Sequence, residues 1–347
     1  MSGFAANEDL SDVVRDALGS GYRITGVDRL RGGSKKGVYR LGLDGGAASS
    51  VVVYRWTSGE DFWPGTDEDD PTDPFAHASG PALFLSARRA LDRLGVRVPR
   101  LLWAEAGNGG GRGGGDGRAD GGGRAGGRGD AIGVAVVEDV PGDTLEAALT
   151  TDPRRAAPAL ADLVRSLDLM WRERGPRHGR VELLERGGTS LGESCERLVL
   201  DRALRDLAEA AGRDARIAAA RDRLADHLRR LAARVAPRAE YSLVHGELGP
   251  DHVLIDADGR AVLIDIEGLM YFDAEWEHVF LRLRFPEHYD VLRRPGLDPA
   301  RLDLYELAMC LSLVAGPLRL LDGDFPDREV MLGIAEHNLG RALALLP

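Results

Sequence analysis

The chain has 347 residues, 44% hydrophobic and 29% charged, with a formal charge of −11; that composition fits an ordinary globular protein and excludes fibrous and wholly disordered classes. The acidic balance argues against broad binding to nucleic acid or to anionic membranes, because both need clustered positive charge to displace counterions. Cys195 and Cys310 are too few and too distant for a disulfide framework or a metal knuckle, and no apolar run is long enough for a bilayer, so a cytoplasmic location is expected.

Residues 22–56 alternate in the manner of strands, with breaks at 31–37 and 44–49, which predicts an antiparallel meander of three strands. The acidic, proline-containing stretch 67–73 reads as a loop. Residues 81–94 read as a helix, with Pro81 in its first turn and Leu83, Phe84, Leu91 and Leu94 available for the buried side. Two further strands are predicted at 98–105 and 131–140. Between them, 14 of the 24 residues of 107–130 are glycine, a composition that cannot repay its ordering entropy by burial, so this is read as a flexible insertion. Its four arginines against three aspartates leave little charge for an RNA contact.

After residue 140 the pattern becomes helical: 144–149, 154–174, 190–211 and 214–235 carry leucine and alanine at helical spacing, and helices resume from 273. The one clear β feature of this half is 242–266. The expectation is an α+β fold, with a small antiparallel β-rich lobe over 1–140 and a larger helical lobe over 141–347.

The informative stretch is YSLVHGELGPDHVLIDADGRAVLIDIEG, residues 241–268. Asp258-Gly259 suits a two-residue turn with positive φ at both central positions. A hairpin closed there pairs Ile255 with Val262, Leu254 with Leu263 and Val253 with Ile264, and the next pair outward is His252 with Asp265, two metal-capable side chains. Glu247 lies five residues before His252 on a loop rich in Gly and Pro. A carboxylate there can orient or deprotonate a hydroxyl while a metal neutralises phosphate charge, which is what phosphoryl transfer needs.

The run from His245-Gly246-Glu247-Leu248 to His252, followed by Asp265, resembles the catalytic loop and metal-binding aspartate of the aminoglycoside phosphotransferase and choline kinase families, relatives of the protein kinases. The resemblance implies a bilobal protein-kinase-like fold and an ATP-dependent kinase acting on a hydroxyl of a small molecule. An antibiotic such as an aminoglycoside or macrolide is one such acceptor, and neither nucleic acid nor a membrane is an expected partner. Glu247 then stands at the catalytic-base position, His245 braces the loop, and His252 and Asp265 are the metal ligands for Mg²⁺, with Mn²⁺ the alternative because a ring nitrogen replaces the family's Asn oxygen. Glu247 replaces the family's Asp, and Gly249 stands where the family has a histidine.

The same resemblance places the nucleotide on the first lobe. The glycine-rich turn 31–37 is similar to the family's phosphate-covering loop, with Ser34 and Lys35 as donors, and Arg55 is the candidate for the α and β phosphates. Glu138 and Val140 fall on the strand whose backbone would meet adenine. The partner acid expected on the following helix is missing, since residues 81–91 contain none, which leaves Arg55 unbraced or braced by another acid such as Glu60 or Asp61. The stretch Asp273-Ala274-Glu275-Trp276-Glu277 resembles the family's structural support for the catalytic loop. Two other readings stay open: a nucleotide-binding pseudokinase, and a hydrolase using Glu247 and Asp265 as a carboxylate pair.

Overall fold

The computed structural model describes residues 7–30, 34–64, 70–105 and 133–347. The glycine-rich turn at 31–33, the acidic loop at 67–69 and the glycine-rich insertion at 107–130 lie outside the described residues. The chain forms two compact units, one of Met1–Asp61, Ser79–Ala82 and Arg100–Asp139, the other of Phe62–Ala78, Leu83–Pro99 and Val140–Pro347.

In chain order the first elements are α1 (Asn7–Leu18), β1 (Arg23–Arg29), β2 (Gly37–Asp44), β3 (Ser50–Trp56), α2 (Pro81–Leu94), β4 (Leu101–Glu105) and β5 (Gly133–Glu138). The strands form one antiparallel sheet in the order β1-β2-β3-β5-β4. Side chains alternate across a strand, so Tyr39, Leu41 and Leu43 of β2 share a face with Val51 and Val53 of β3 and with Val134 and Val136 of β5. That face packs with Leu10 and Val14 of α1 into one buried core. The helix α1 was not among the expected elements; Leu10 and Val14, four apart, are the signal for it. Gly37 pairs with Arg55 and Tyr39 with Val53, so Arg55 continues the face of Val51 and Val53.

The second unit continues with α3 (Leu145–Thr151), α4 (Pro153–Arg172), β6 (Arg174–Gly175), β7 (Gly179–Arg180), α5 (Val181–Glu185), α6 (Cys195–Arg213) and α7 (Ala215–Ala232). It then carries β8 (Tyr241–Val244), β9 (Val253–Ile255), β10 (Ala261–Leu263), β11 (Met270–Phe272), α8 (Ala274–Arg284), α9 (Tyr289–Leu292), α10 (Pro299–Leu320) and α11 (Arg328–Ala344). Helix starts are set by local chemistry: Asp152, Asp214 and Asp298 accept amide bonds at the N-termini of α4, α7 and α10, and Pro153 and Pro299 occupy first positions that need no N–H. The main core gathers α6, α7, α8, α10 and α11. Leu307 and Leu311, one turn apart on α10, are fully buried, and truncating either to Ala would cost about 2–5 kcal/mol. Among the described residues no helix is long and apolar enough to cross a membrane.

Two small β features set up the loop of interest. The sheet β6-β8-β11-β7 fixes β8 between two neighbours, with Val244 opposite Met270. The hairpin β9–β10 pairs Ile255 with Ala261, Leu254 with Val262 and Val253 with Leu263, one residue out of the expected register. The reason lies in the turn. Asp256 accepts the amides of Asp258 and Arg260 on its side chain, Gly259 N–H donates to Asp256 O, and Gly259 alone has positive φ, at 76°. A three-residue loop ending in a left-handed glycine replaces the two-residue turn, and it matches the strand twist equally well.

Candidate active site

The register shift removes the cross-strand pairing of His252 with Asp265, yet the two side chains still meet. His252 ends a 3₁₀ turn, Pro250–His252, and its carbonyl accepts the amide of Ile264 at 3.0 Å. Asp265 follows β10 in the left-handed conformation, φ 59° and ψ 44°, the one non-glycine residue with positive φ among the described residues. Asp tolerates that region better than most side chains, at a cost of order 1 kcal/mol. The outcome is His252 Nε2 at 3.7 Å from Asp265 Oδ2.

The histidine's tautomer follows from its other nitrogen. His252 Nδ1 lies 2.8 Å from the carbonyl oxygen of Glu247, to which only an N–H can donate. With Nδ1 as the donor, the neutral tautomer of this ring has its lone pair on Nε2, which lies 3.7 Å from Asp265 and 3.8 Å from the carboxylate of Asp251. The imidazole nitrogen and the Asp265 carboxylate beside it are donors of the kind a divalent ion takes. Asp251 is drawn aside by Arg284, whose Nη2 is 2.7 Å from Asp251 Oδ1. Among the described residues no group of three or more His, Cys, Asp or Glu is arranged to hold a metal, and a pair is what Mg²⁺ commonly takes from protein when phosphates and water complete its shell.

His245 is fully buried, and its Nε2 donates to the carbonyl of Ile264 at 3.0 Å. Its ring stacks against that of His252, with centroids 6.0 Å apart and 20° between planes. Burial first, then the neighbouring His252, holds its pKa down to about 4, while the Ile264 bond, Asp265 and Glu247 act the other way; the ring is neutral near pH 7. The side chain of Glu247 is exposed. A carboxylate that has to meet a bound alcohol must be reachable in this way.

The loop hangs from α8. Glu277, with no exposed surface, accepts the amides of His245 at 2.6 Å and Gly246 at 3.0 Å, and Gly246 has φ 93° to present its N–H. Burial raises the Glu277 pKa to about 7, against the pull of the Gly246, His245 and Leu248 amides. One turn earlier Asp273 is buried between Arg301, the Tyr305 hydroxyl at 2.5 Å and Arg238 at 3.2 Å. The stretch 273–277 thus joins the loop backbone to the main core.

Sequence reading missed Arg284. A Cβ on Gly249 would lie 2.2 Å from Asp251 Oδ1, 2.8 Å from Arg284 Nε and 3.1 Å from its Nη2, so the Asp251–Arg284 pair occupies the room a side chain at 249 would need. The only sequence signal is that glycine, and it does not say which residue fills the gap.

In the first unit, Ser34 and Lys35 are half-buried, and Ser79 Oγ donates to Lys35 O at 2.8 Å. Lys36 is buried, with its ammonium 5.3 Å from the Tyr54 ring centroid. Arg55 Nη1 is 4.0 Å from Glu60 Oε2, and Glu60 is almost wholly buried, bonded to the Tyr39 hydroxyl and to Thr57 Oγ1 at 3.1 Å. Glu60, one of the two acids expected as substitutes for the missing helix glutamate, is placed against Arg55. Glu138 closes β5: its N–H donates to Arg100 O at 2.9 Å and its side chain accepts the Arg100 amide at 3.0 Å. Val140, where the chain returns to the second unit after β5, is buried.

An antiparallel sheet followed by a helical region is the order of a kinase-like phosphotransferase fold. The sequence profile of the phosphotransferase enzyme family, abbreviated APH, matches residues 71–310, well over half of the chain, and the chain belongs to that family. No curated protein matches the chain. Among solved structures it is similar to aminoglycoside phosphotransferase APH(4)-Ia (16% identity, TM-score 0.62, covering 98% of both chains). It is also similar to spectinomycin phosphotransferase APH(9)-Ia in complex with ADP and spectinomycin (12%, 0.59, 97% of this chain and 98% of that one) and to LicA in complex with AMP (12%, 0.58, 99% and 100%). At such identities the likeness establishes the fold.

Proposed function

We propose that the protein is an ATP-dependent kinase that transfers the γ-phosphoryl group to a hydroxyl of a small molecule, with an antibiotic such as an aminoglycoside or macrolide as a candidate acceptor. The observation that carries this is the convergence of the His252 lone pair and the Asp265 carboxylate beside a loop that exposes Glu247. Family membership and the nucleotides and antibiotics bound by the structural neighbours support it.

In this reading Glu247 orients the acceptor hydroxyl and takes its proton as the oxygen attacks the γ-phosphorus, and ADP leaves. His252 and Asp265 hold Mg²⁺ or Mn²⁺, which when bound neutralises charge on the phosphate oxygens. His245, neutral and bonded to Ile264, keeps the ring of His252 in place by stacking. Ser34 and Lys35 donate to phosphate, Arg55 braced by Glu60 meets the α and β phosphates, and Glu138 and Val140 belong to the adenine strand. The first unit is then the nucleotide-binding lobe and the second carries the acceptor site. We place the enzyme in the cytoplasm, where ATP is available.

Two departures favour a second reading, a nucleotide-binding pseudokinase: Glu247 is one methylene longer than the family's Asp, and His252 replaces Asn. A phosphorylation assay across aminoglycosides, macrolides, aminoalcohols and nucleosides separates the two. Metal-dependent turnover that vanishes in Glu247→Gln, with ATP binding retained, is expected. ATP binding without turnover on any acceptor in the wild-type protein would favour the pseudokinase.

A further inference from the structure

On the second unit, at the end of β8 that begins with Tyr241, lies a cavity of roughly 630 Å³ lined by Arg174, Arg238, Glu240, Glu275 and Arg294. Its charges are not balanced internally. Arg238 makes a two-armed bond to Glu275, at 2.8 and 2.9 Å, and so uses up that carboxylate. Arg174 has only a serine partner, the hydroxyl of Ser242 at 2.5 Å. Arg294 lies over the Trp171 ring, 5.6 Å from its centroid, and its Nη1 is buried with no hydrogen-bond acceptor. Among the described residues neither Arg174 nor Arg294 has an acid within ion-pair distance; of the other charged groups acting on Arg294, Arg172 is bonded to Asp168. Burial and then Arg174 pull the Arg294 pKa below its ordinary value, and Asp168 and Glu275 offset this only in part.

Two guanidinium charges lining one cavity without a paired acid repel each other. An oxyanion bound between them relieves that repulsion. Three arginines against Glu240 and Glu275 leave the lining with an excess of positive charge that favours an anion, and a phosphate monoester offers three acceptor oxygens suited to arginine forks. The volume lies in the range of small-molecule sites and exceeds what a bare phosphate fills.

We propose that this cavity is a binding site for a phosphorylated small molecule, whose phosphate is held by Arg174 and Arg294. The site is separate from the catalytic loop: the cavity's Glu240 precedes Tyr241, the first residue of β8, whereas His245 follows Val244, the last. Exposed Glu240 at the rim excludes more heavily charged polyanions.

Calorimetric titration of the full chain with glycerol 3-phosphate, and separately with inorganic phosphate, tests this. Glycerol 3-phosphate is expected to bind more tightly than inorganic phosphate, and Arg294→Gln is expected to weaken it at least about tenfold. Arg174→Gln, at an exposed position where folding is not at stake, should do the same, while Asp265→Ala leaves the affinity unchanged. Equal binding of the two ligands would show a simple phosphate site and overturn the ester assignment. No binding, or binding that survives both arginine changes, would overturn the site itself. Loss in Asp265→Ala alone would assign the ligand to the catalytic loop.

Discussion

Arg284 Nε lies 2.8 Å from the point a Cβ would take on Gly249, and Arg284 Nη2 is 2.7 Å from Asp251 Oδ1. The residue from α8 thus sits with Asp251 against Gly249 in the proposed catalytic loop and pairs with the carboxylate next to His252. Gly249 itself has φ −111°, which any residue adopts, so Gly249→Ala would act through contact alone. It is expected to displace the Asp251 carboxylate together with Arg284, lower turnover by about tenfold to a hundredfold as the loop shifts, and leave ATP affinity nearly unchanged. Steady-state kinetics with separate nucleotide binding checks this; a variant as active as the parent would remove Arg284 from any positioning role.

Glu60 accepts from Tyr39 and Thr57 while standing 4.0 Å from Arg55, and Gly37 leaves room for it, since a Cβ there would fall 2.3 Å from Glu60 Oε1. Glu60→Ala strips acceptors from a buried hydroxyl and leaves Arg55 without its carboxylate. A stability loss of about 2–4 kcal/mol is expected in denaturant titration, together with a raised KM for ATP. Unchanged values of both would mean the acid is incidental.

His278 is buried against Trp171, with centroids 4.6 Å apart, and burial holds its pKa down to about 4 from an ordinary 6.5. The unfolded chain binds a proton at this imidazole below pH 6.5 and the folded protein does not, so stability is lost as pH falls from 6.5 to 4. His245 behaves in the same sense. Glu277, raised from 4.5 to about 7, acts oppositely, with its contribution complete below pH 4.5 and gone above 7. His278→Gln should therefore flatten the fall in stability on the acid side by about one proton, worth of order 3 kcal/mol over the interval. Urea melts at several pH values read this directly, and an unaltered slope would count against a neutral buried ring.

His252→Asn exchanges a ring nitrogen for an amide oxygen at the proposed metal position. Oxygen donors suit Mg²⁺ better than imidazole does. The ratio of Mn²⁺-supported to Mg²⁺-supported turnover is expected to fall several-fold in the variant. An unmoved ratio would indicate that position 252 does not touch the ion.

Much of this arrangement was legible beforehand, for physical reasons. Strand-like apolar runs marked β2 and β3, and leucine and alanine at helical spacing marked α4, α6 and α7, because burial imposes period two on strands and 3.6 on helices. The hairpin at 253–263 was found but misregistered. Asp258-Gly259 signals a tight turn, whereas the actual loop is decided by Asp256, whose side chain competes for the same amides. His252 and Asp265 were paired for the wrong reason: the left-handed backbone at Asp265, not a ladder, brings them together. Arg284 was invisible because its contact with Gly249 spans 35 residues and depends on how α8 docks.

The two amides at the head of the loop are bound by a carboxylate whose own helix is part of the main core. Such a loop has no separate melting transition available to it. Warming the protein would leave turnover intact up to the temperature at which α8 comes away, and residual activity after heating would report the fraction of molecules still folded.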